Sequence, residues 1–115
     1  MKRFLALSLV CIATGVRAQT GEELRTELEY DEAAARKDGS IEHAYNAGHG
    51  VGFVVGEAFG LAAGGVLCFP NDIQAKQALA IVKNYLDAHP ERWQEKSHYL
   101  IRDALLAVYA CKRAK

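Results

Sequence analysis

The 115-residue sequence lacks the residue patterns that most enzyme active sites require. It has no G-x-S-x-G nucleophile motif and no phosphate-binding glycine loop, and beyond residue 18 it contains only two serines and two threonines. Its four histidines are too widely spaced for any two to act as metal ligands on one helical face, and we expect His49 to be a buried, hydrogen-bonded residue. We therefore predict a protein that is not an enzyme and has no catalytic residue, metal site or cofactor.

Positive charge is also scarce. The chain has 14 basic and 14 acidic residues, but Lys2, Arg3 and Arg17 lie within the first 18 residues. The remaining 97 residues have a net charge near −3 and contain no basic stripe. Nucleic-acid binding requires such a stripe to neutralise phosphates, so nucleic acid is not an expected partner. A chain of this length is sufficient for one hydrophobic core and one domain.

Residues 1–18 have the three parts of a secretory signal peptide. Lys2 and Arg3 precede an apolar run from Phe4 to Thr14, and Val16-Arg17-Ala18 supplies small residues at the cleavage site. The apolar run is too short to span a membrane comfortably. We predict cleavage before Gln19 and secretion of the remaining chain.

Cleavage would remove Cys11 and leave Cys68 and Cys111 as the only thiols, in an oxidising compartment. No cysteine has C-x-x-C spacing and no histidine is near either residue, so we expect a structural disulfide rather than a metal or redox site. This bond would close a loop of 44 residues. In the chain-entropy model such a loop closure stabilises the fold by about 4 kcal/mol.

The residues after the cleavage site predict an all-α fold, a small bundle of about four helices around a glycine-rich central helix. Residues 19–39 are expected to form an N-terminal helical segment with a thin apolar stripe. Residues 40–115 are expected to form the main helical domain.

Capping residues mark the predicted starts of three helices in this domain. Ser40 can cap the central helix together with His43, and Asn71 with Gln74 fits a capping box for the next helix. Ser97 is a suitable cap for the last helix.

Glycines recur every four residues in the predicted central helix, at Gly48, Gly52, Gly56 and Gly60. This spacing places them along one side of the helix. Each glycine costs roughly 1 kcal/mol relative to alanine in a helix interior, so we predict that the line packs closely against another helix. The other sides are mostly apolar, which indicates a buried helix, and Glu57 argues against the alternative of a membrane span.

The second half of the chain contains a series of short motifs in a distinctive order. They are Gly52-Phe-Val-Val-Gly56-Glu-Ala58, Cys68-Phe-Pro70, Ile73, Gln77, Ile81-Val82, Tyr85-Leu86, His89-Pro90, Ala104-Leu105 and Cys111. This order resembles the Rap1a/Tai family of immunity proteins over roughly residues 48–111. The resemblance implies a small helical protein, usually periplasmic, with a Cys68–Cys111 bridge. The chain departs from the family pattern at Phe53, Glu57 and Ala110, where Tyr, Asp and Pro are common.

The best-understood members of this family bind and block peptidoglycan-cleaving amidase toxins delivered by type VI secretion, often as dimers. The resemblance therefore implies a periplasmic immunity protein that occludes the active site of a cell-wall amidase, with homodimer formation left open. A periplasmic stress or acid-response chaperone without a toxin partner is the second hypothesis, since acid would protonate the carboxylates and histidines.

Three residues near the predicted end of the third helix are candidates for partner contact, namely His89, Arg92 and Trp93. Tryptophan and arginine are enriched among the residues that dominate binding energy at protein interfaces. The alternative for Trp93 is that it covers an edge of the hydrophobic core.

Overall fold

Four α-helices contain most of the residues that the computed structural model describes, which are 18–35 and 40–112. They are α1 (Gly21–Ala35), α2 (Ile41–Ala63), α3 (Ala75–Ala88) and α4 (Ser97–Tyr109), with a 3₁₀ turn at Pro90–Arg92. In these described ranges β-structure is limited to two isolated antiparallel bridges. The predicted all-α fold is thereby confirmed. The predicted signal peptide lies outside the described residues except for Ala18.

The helices enclose one hydrophobic core. From α1, Leu24 and Leu28 are 0% and 3% exposed, so the N-terminal segment belongs to this core. Burying two leucines contributes roughly 1.5–3 kcal/mol each, which is enough to hold a helix with so thin an apolar stripe. The largest core residues of the other helices are Val54, Val82, Leu86, Leu100, Ile101 and Leu105.

The prediction that α2 is buried on nearly all sides is wrong. Ile41, Tyr45 and Phe59 are 91%, 73% and 68% exposed. The buried residues form a single stripe, Ala47, Gly50, Val54 and Ala58. No helix in the described part of the chain is long and apolar enough to cross a membrane.

Contrary to the prediction, the glycine line packs against no other helix in the described part of the chain. The line comprises Gly48, Gly52, Gly56 and Gly60. A Cβ atom added at any of these positions would have no other residue of the described ranges within 4 Å. The close helix approach occurs at Gly50, where an added Cβ would lie 2.7 Å from Glu27 Cβ on α1. Gly50 lies about 160° around α2 from both Gly48 and Gly52, because each residue advances the helix by about 100°.

The predicted capping of α2 is confirmed. Ser40 Oγ accepts a hydrogen bond from His43 N at 3.2 Å, and Ser40 N donates to His43 Nδ1 at 3.4 Å. After Ala63 the helix stops, and Gly65 has a φ of 74°. Glycine adopts this left-handed conformation without the steric cost that a Cβ would impose.

Backbone hydrogen bonds join residues 19–21, at the start of α1, to residues 95–97, at the start of α4. Gly21 N donates to Glu95 O at 2.9 Å, and Ser97 N donates to Gln19 O at 2.8 Å. Ser97 is the first residue of α4, and its hydroxyl donates to Gln19 Oε1 at 3.3 Å, so its predicted role as the N-cap is wrong. A Cβ at Gly21 would collide with the Leu100 side chain.

A disulfide closes the opposite end of the bundle. Cys68 and Cys111 are bonded, with their Cα atoms 4.8 Å apart, as predicted. Cys68 N also donates to Tyr109 O at 2.9 Å. These bonds join the chain after α2 to the end of α4.

Candidate partner-binding site

The three residues predicted to contact a partner lie together in residues 89–96, here termed the α3–α4 corner. Pro90 causes the change of direction, because the residue before a proline is disfavoured in a helix. His89 accordingly leaves the helical region with φ −126° and ψ 58°. Pro90 then begins the 3₁₀ turn, a position that suits its fixed φ and missing N–H.

Arg92 is the main brace of the α3–α4 corner. Its guanidinium donates to both carboxylate oxygens of Glu95, at 2.8 and 2.7 Å, and to Asp103 Oδ2 on α4 at 2.9 Å. It also donates to the hydroxyl of Tyr85 on α3. The hydrogen bonds to Glu95 and Asp103 raise the pKa of Arg92. Arg92 therefore ties α3, the corner and α4 together.

The carboxylates around this corner are held in their ionised form. The hydrogen bonds from Arg92 lower the pKa of Glu95. Burial alone would raise the pKa of Asp103, but hydrogen bonds from two arginines hold it below its usual range. The pKa of Glu91 is lowered by a hydrogen bond from its own backbone and then by His89. Glu91 and Glu95 are therefore ionised at neutral pH, and Arg92 and Lys96 in the same corner balance their charge.

Trp93 connects the corner to α1 and α3. Its indole Nε1 donates to Leu86 O at 2.7 Å, and the Arg25 guanidinium carbon lies 4.7 Å from its ring centroid. Arg25 Nε also donates to Asp87 Oδ1 at 2.8 Å, which holds the guanidinium in place. Trp93 is thus half-buried between α1 and α3, and the interpretation that it covers an edge of the core stays a prediction. A further role in partner contact stays a prediction.

The outward surface of the corner is formed by other side chains. Pro90, Glu91 and Gln94 are exposed, and the His89 and Glu91 side chains are 38% and 64% exposed. His89 Nδ1 lies 3.0 Å from Glu91 Oε1. Sequence reasoning missed Glu91, although its place directly after Pro90 at a predicted corner was a usable signal.

A second polar region lies where α1, α2 and α4 meet. His49 Nδ1 lies 3.0 Å from both carboxylate oxygens of Glu27, and Gln19 Nε2 donates to Glu27 Oε2 at 2.6 Å. The His49 side chain is 53% exposed, so its predicted burial is wrong. A cavity of about 530 Å³ beside it is lined by Ala18, Gln19, His49, Phe53, Glu57, Ser97 and His98. No three potential metal ligands cluster anywhere in the ranges that the structure describes.

Comparison with known proteins identifies the family of the chain. No curated protein matches the sequence. The family model of the Rap1a immunity proteins matches residues 9–111, which is most of the chain and includes the N-terminal segment as well as the main helical domain. The chain therefore belongs to the Rap1a immunity proteins, and an immunity family implies a protein toxin as the binding partner.

Proposed function

We propose that this protein binds a peptidoglycan-cleaving amidase toxin and covers the active site of the toxin with the α3–α4 corner. Family membership supports a toxin as the partner. The motif order described above supports an amidase delivered by type VI secretion. Such a toxin acts on the cell wall, so we place the mature protein in the periplasm, with its N-terminus at Gln19.

The α3–α4 corner is proposed as the contact surface because side-chain contacts hold it in one conformation. Arg92 and Trp93 fix the turn to three helices through hydrogen bonds and a cation–π contact. A surface that is already rigid loses little conformational entropy when it binds, so more of its contact energy appears as affinity. In this proposal Arg92 and Trp93 shape the corner, and His89 and Glu91 make contact.

The exposed chemistry of the corner suits a hydrolase cleft. Glu91 presents an ionised carboxylate that can accept hydrogen bonds from donors of the toxin, and His89 presents an imidazole beside it. Interfaces are usually dominated by a few central residues, so the loss of both side chains is expected to have a large effect.

The test expresses the proteins encoded by the genes adjacent to this one and selects the one that cleaves peptidoglycan as the hydrolase. The oxidised protein, beginning at Gln19, is added to that hydrolase, and release of peptidoglycan fragments is measured. We expect full inhibition by the unmodified protein and at least about tenfold weaker inhibition by the double variant His89→Ala/Glu91→Ala, a loss of about 1.4 kcal/mol. Lys76→Ala, an exposed position on α3, is the matched control and is expected to inhibit normally.

The outcomes separate the two parts of the proposal. A hydrolase that stays fully active at high concentrations of the unmodified protein contradicts the amidase assignment. Inhibition that is equally strong with the double variant leaves the immunity function standing and contradicts the α3–α4 corner as its contact surface. Thermal unfolding of each variant shows whether it is folded.

A further inference from the structure

Gln19 is fixed to two helices through both its backbone and its side chain. Its carbonyl oxygen accepts a hydrogen bond from Ser97 N at 2.8 Å, and its side-chain oxygen accepts one from Ser97 Oγ at 3.3 Å. Its side-chain nitrogen donates to Glu27 Oε2 on α1 at 2.6 Å. Both polar atoms of the side-chain amide therefore have a partner, one on α4 and one on α1. We term these three hydrogen bonds the Gln19 clamp.

The partners in the clamp are themselves held in place. Ser97 is 1% exposed at the start of α4. Glu27 also lies 3.0 Å from His49 Nδ1 on α2. A hydrogen bond to a carboxylate is stronger than one between two neutral groups. The Gln19 side chain can therefore leave its position only by losing two hydrogen bonds, the stronger of which is to Glu27.

The clamp lies where the buried part of the described chain begins. Ala18 is exposed, Gln19 is half-buried and Gly21 is buried. The Ala18–Gln19 peptide bond lies at the wall of the cavity of about 530 Å³ beside His49, because both residues line that cavity. This is the bond at which we predict cleavage of the signal peptide. Cleavage would make Gln19 the first residue of the secreted chain and give it a free α-amino group.

A glutamine at the N-terminus of a chain can react with its own α-amino group. The amino nitrogen attacks the side-chain amide carbon, a new carbon–nitrogen bond closes a lactam ring, and the bond from that carbon to Nε2 breaks. The Nε2 group takes a proton from the attacking amine and leaves as ammonia. The product, pyroglutamate, lacks the Nε2 donor, and like an acetylated N-terminus it lacks the terminal charge.

We propose that the Gln19 clamp is a protected modification site, at which the folded protein keeps the first residue of the mature chain as an uncyclised glutamine. Ring closure moves the amide carbon to the α-amino nitrogen of the same residue and expels Nε2, so it requires the side-chain bonds to Glu27 and Ser97 to break first. The reaction therefore proceeds through the fraction of molecules in which these bonds are transiently open, as hydrogen exchange does. The inference rests on the proposed N-terminus at Gln19 and not on the toxin.

Protection preserves the polar contacts between α1, α2 and α4. The uncyclised residue keeps the donor to Glu27, which also contacts His49. It also keeps a positive α-amino group at the wall of a cavity that Glu57 lines. Cyclisation would remove both the donor and the charge. A cyclised chain is therefore expected to hold residues 19–21 less firmly against α4, with faster hydrogen exchange at the Gly21 amide.

Mass spectrometry of the processed protein tests the proposal. The full chain is expressed in a bacterium that secretes it, and the N-terminal proteolytic peptide of the oxidised product is analysed for the loss of one ammonia. We expect this peptide to begin with an uncyclised Gln19. During incubation at neutral pH, cyclisation of the folded protein should be at least about tenfold slower than cyclisation of the same protein in concentrated urea.

Substitutions at the two partner residues test the clamp itself. Glu27→Ala should accelerate cyclisation of the folded protein about tenfold, and Ser97→Ala by about two- to tenfold, because the hydrogen bond to the carboxylate is the stronger one. Glu27→Gln keeps an acceptor oxygen, so its rate should be closer to that of the unmodified protein than the rate of Glu27→Ala. Circular dichroism shows whether each variant is folded.

Ser40→Ala is the matched control. It removes the cap of α2, at a cost in stability similar to that expected for Ser97→Ala, and leaves all three bonds of the clamp in place. Cyclisation of folded Ser40→Ala should therefore be as slow as that of the unmodified protein.

Three results would overturn the proposal. The first is processing at a bond other than Ala18–Gln19, or a purified protein that is already cyclised. The second is cyclisation that is as fast in the folded protein as in urea, or faster, which would show that the clamp does not protect Gln19. The third is equal acceleration by Ser40→Ala and Ser97→Ala, which would show that global unfolding sets the rate. Processing at another bond also contradicts the proposed N-terminus, whereas the other results leave the immunity function standing.

Discussion

Glycines two residues apart in α2 are expected to respond oppositely to alanine. Gly50→Ala places a Cβ against Glu27 on α1, and such overpacking destabilises a protein by about 1–3 kcal/mol. The better helix propensity of alanine offsets up to about 1 kcal/mol of this loss. Gly52→Ala meets no other residue of the described ranges within 4 Å, so it should stabilise the protein by up to about 1 kcal/mol. Urea unfolding of the two variants measures both effects. Equal effects of the two substitutions would contradict the assignment of the close approach to Gly50.

Arg92 is expected to matter more for stability than the neighbouring Arg102. Arg92→Met removes hydrogen bonds to Tyr85, Glu95 and Asp103, whereas Arg102 bonds in the described structure to Asp103 and is more exposed. Because these groups are partly solvated, we expect a loss of about 1–2 kcal/mol for Arg92→Met and less than half of that for Arg102→Met. Chemical denaturation of the two variants provides the comparison.

At the scale of helices, local sequence signals were reliable where one signal stood alone. Ser40 and His43 had no competitor and cap α2 as predicted. For α3 the predicted cap at Asn71 was wrong by three residues, because the helix begins at Ala75 and Gln74 N donates to Gln77 Oε1 at 2.7 Å. The chain turns at Pro70 before the helix begins, and Ile73 N donates to Pro70 O in that turn. Asparagine is the better capping residue by type, so the sequence alone favours the wrong start.

Long-range packing was not predictable from periodicity. The glycine spacing identified one side of α2 correctly but could not show whether that side faced a helix or solvent. Proline at position 90 located the α3–α4 corner. Its bracing depends on Arg25 and Asp103, which come from α1 and α4, so it could be seen only once the helices were packed.

The hydrogen bonds between residues 19–21 and residues 95–97 provide a prediction at the scale of one element. Ser97 is 1% exposed, and Ser97→Ala leaves the side-chain oxygen of Gln19 without this donor. We expect a loss of about 1 kcal/mol and faster hydrogen exchange at the Gly21 amide, which bonds to Glu95 O. Ser40→Ala, which removes the α2 cap, should cost a similar amount and leave exchange at Gly21 unchanged.

For the whole molecule, stability is expected to fall in acid. The pKa values of Asp87, Glu91, Glu95 and Asp103 are all lower in the folded protein than their ordinary values of 3.8 for Asp and 4.5 for Glu. The unfolded chain therefore binds more protons at these groups. Their contribution is complete well above pH 4.5 and is lost as the pH falls through the folded-state values.

Denaturation midpoints measured from pH 7 down to pH 3 test this expectation. These groups should leave the denaturation midpoint nearly constant near pH 7. The midpoint should then decrease as the pH drops below about 4.5. Arg92→Met should make the acid slope shallower, because Glu95 and Asp103 lose the donor that lowers their pKa. An unchanged slope in that variant would show that Arg92 does not set the acid response.

The disulfide is expected to contribute a large part of the free energy of unfolding, because it joins the chain after α2 to the end of α4. Cys68 and Cys111 are 43 residues apart in sequence, and removing a bond that closes such a loop costs about 2–4 kcal/mol, a large share of the stability of a domain this small. The double variant Cys68→Ser/Cys111→Ser keeps the backbone bond from Cys68 N to Tyr109 O, so it should retain its helices but unfold at lower denaturant concentration. Reductant should lower the midpoint of the unmodified protein to that of the double variant and leave the double variant unchanged. If reduction does not move the midpoint of the unmodified protein, the packing of α4 against the core is sufficient without the bond.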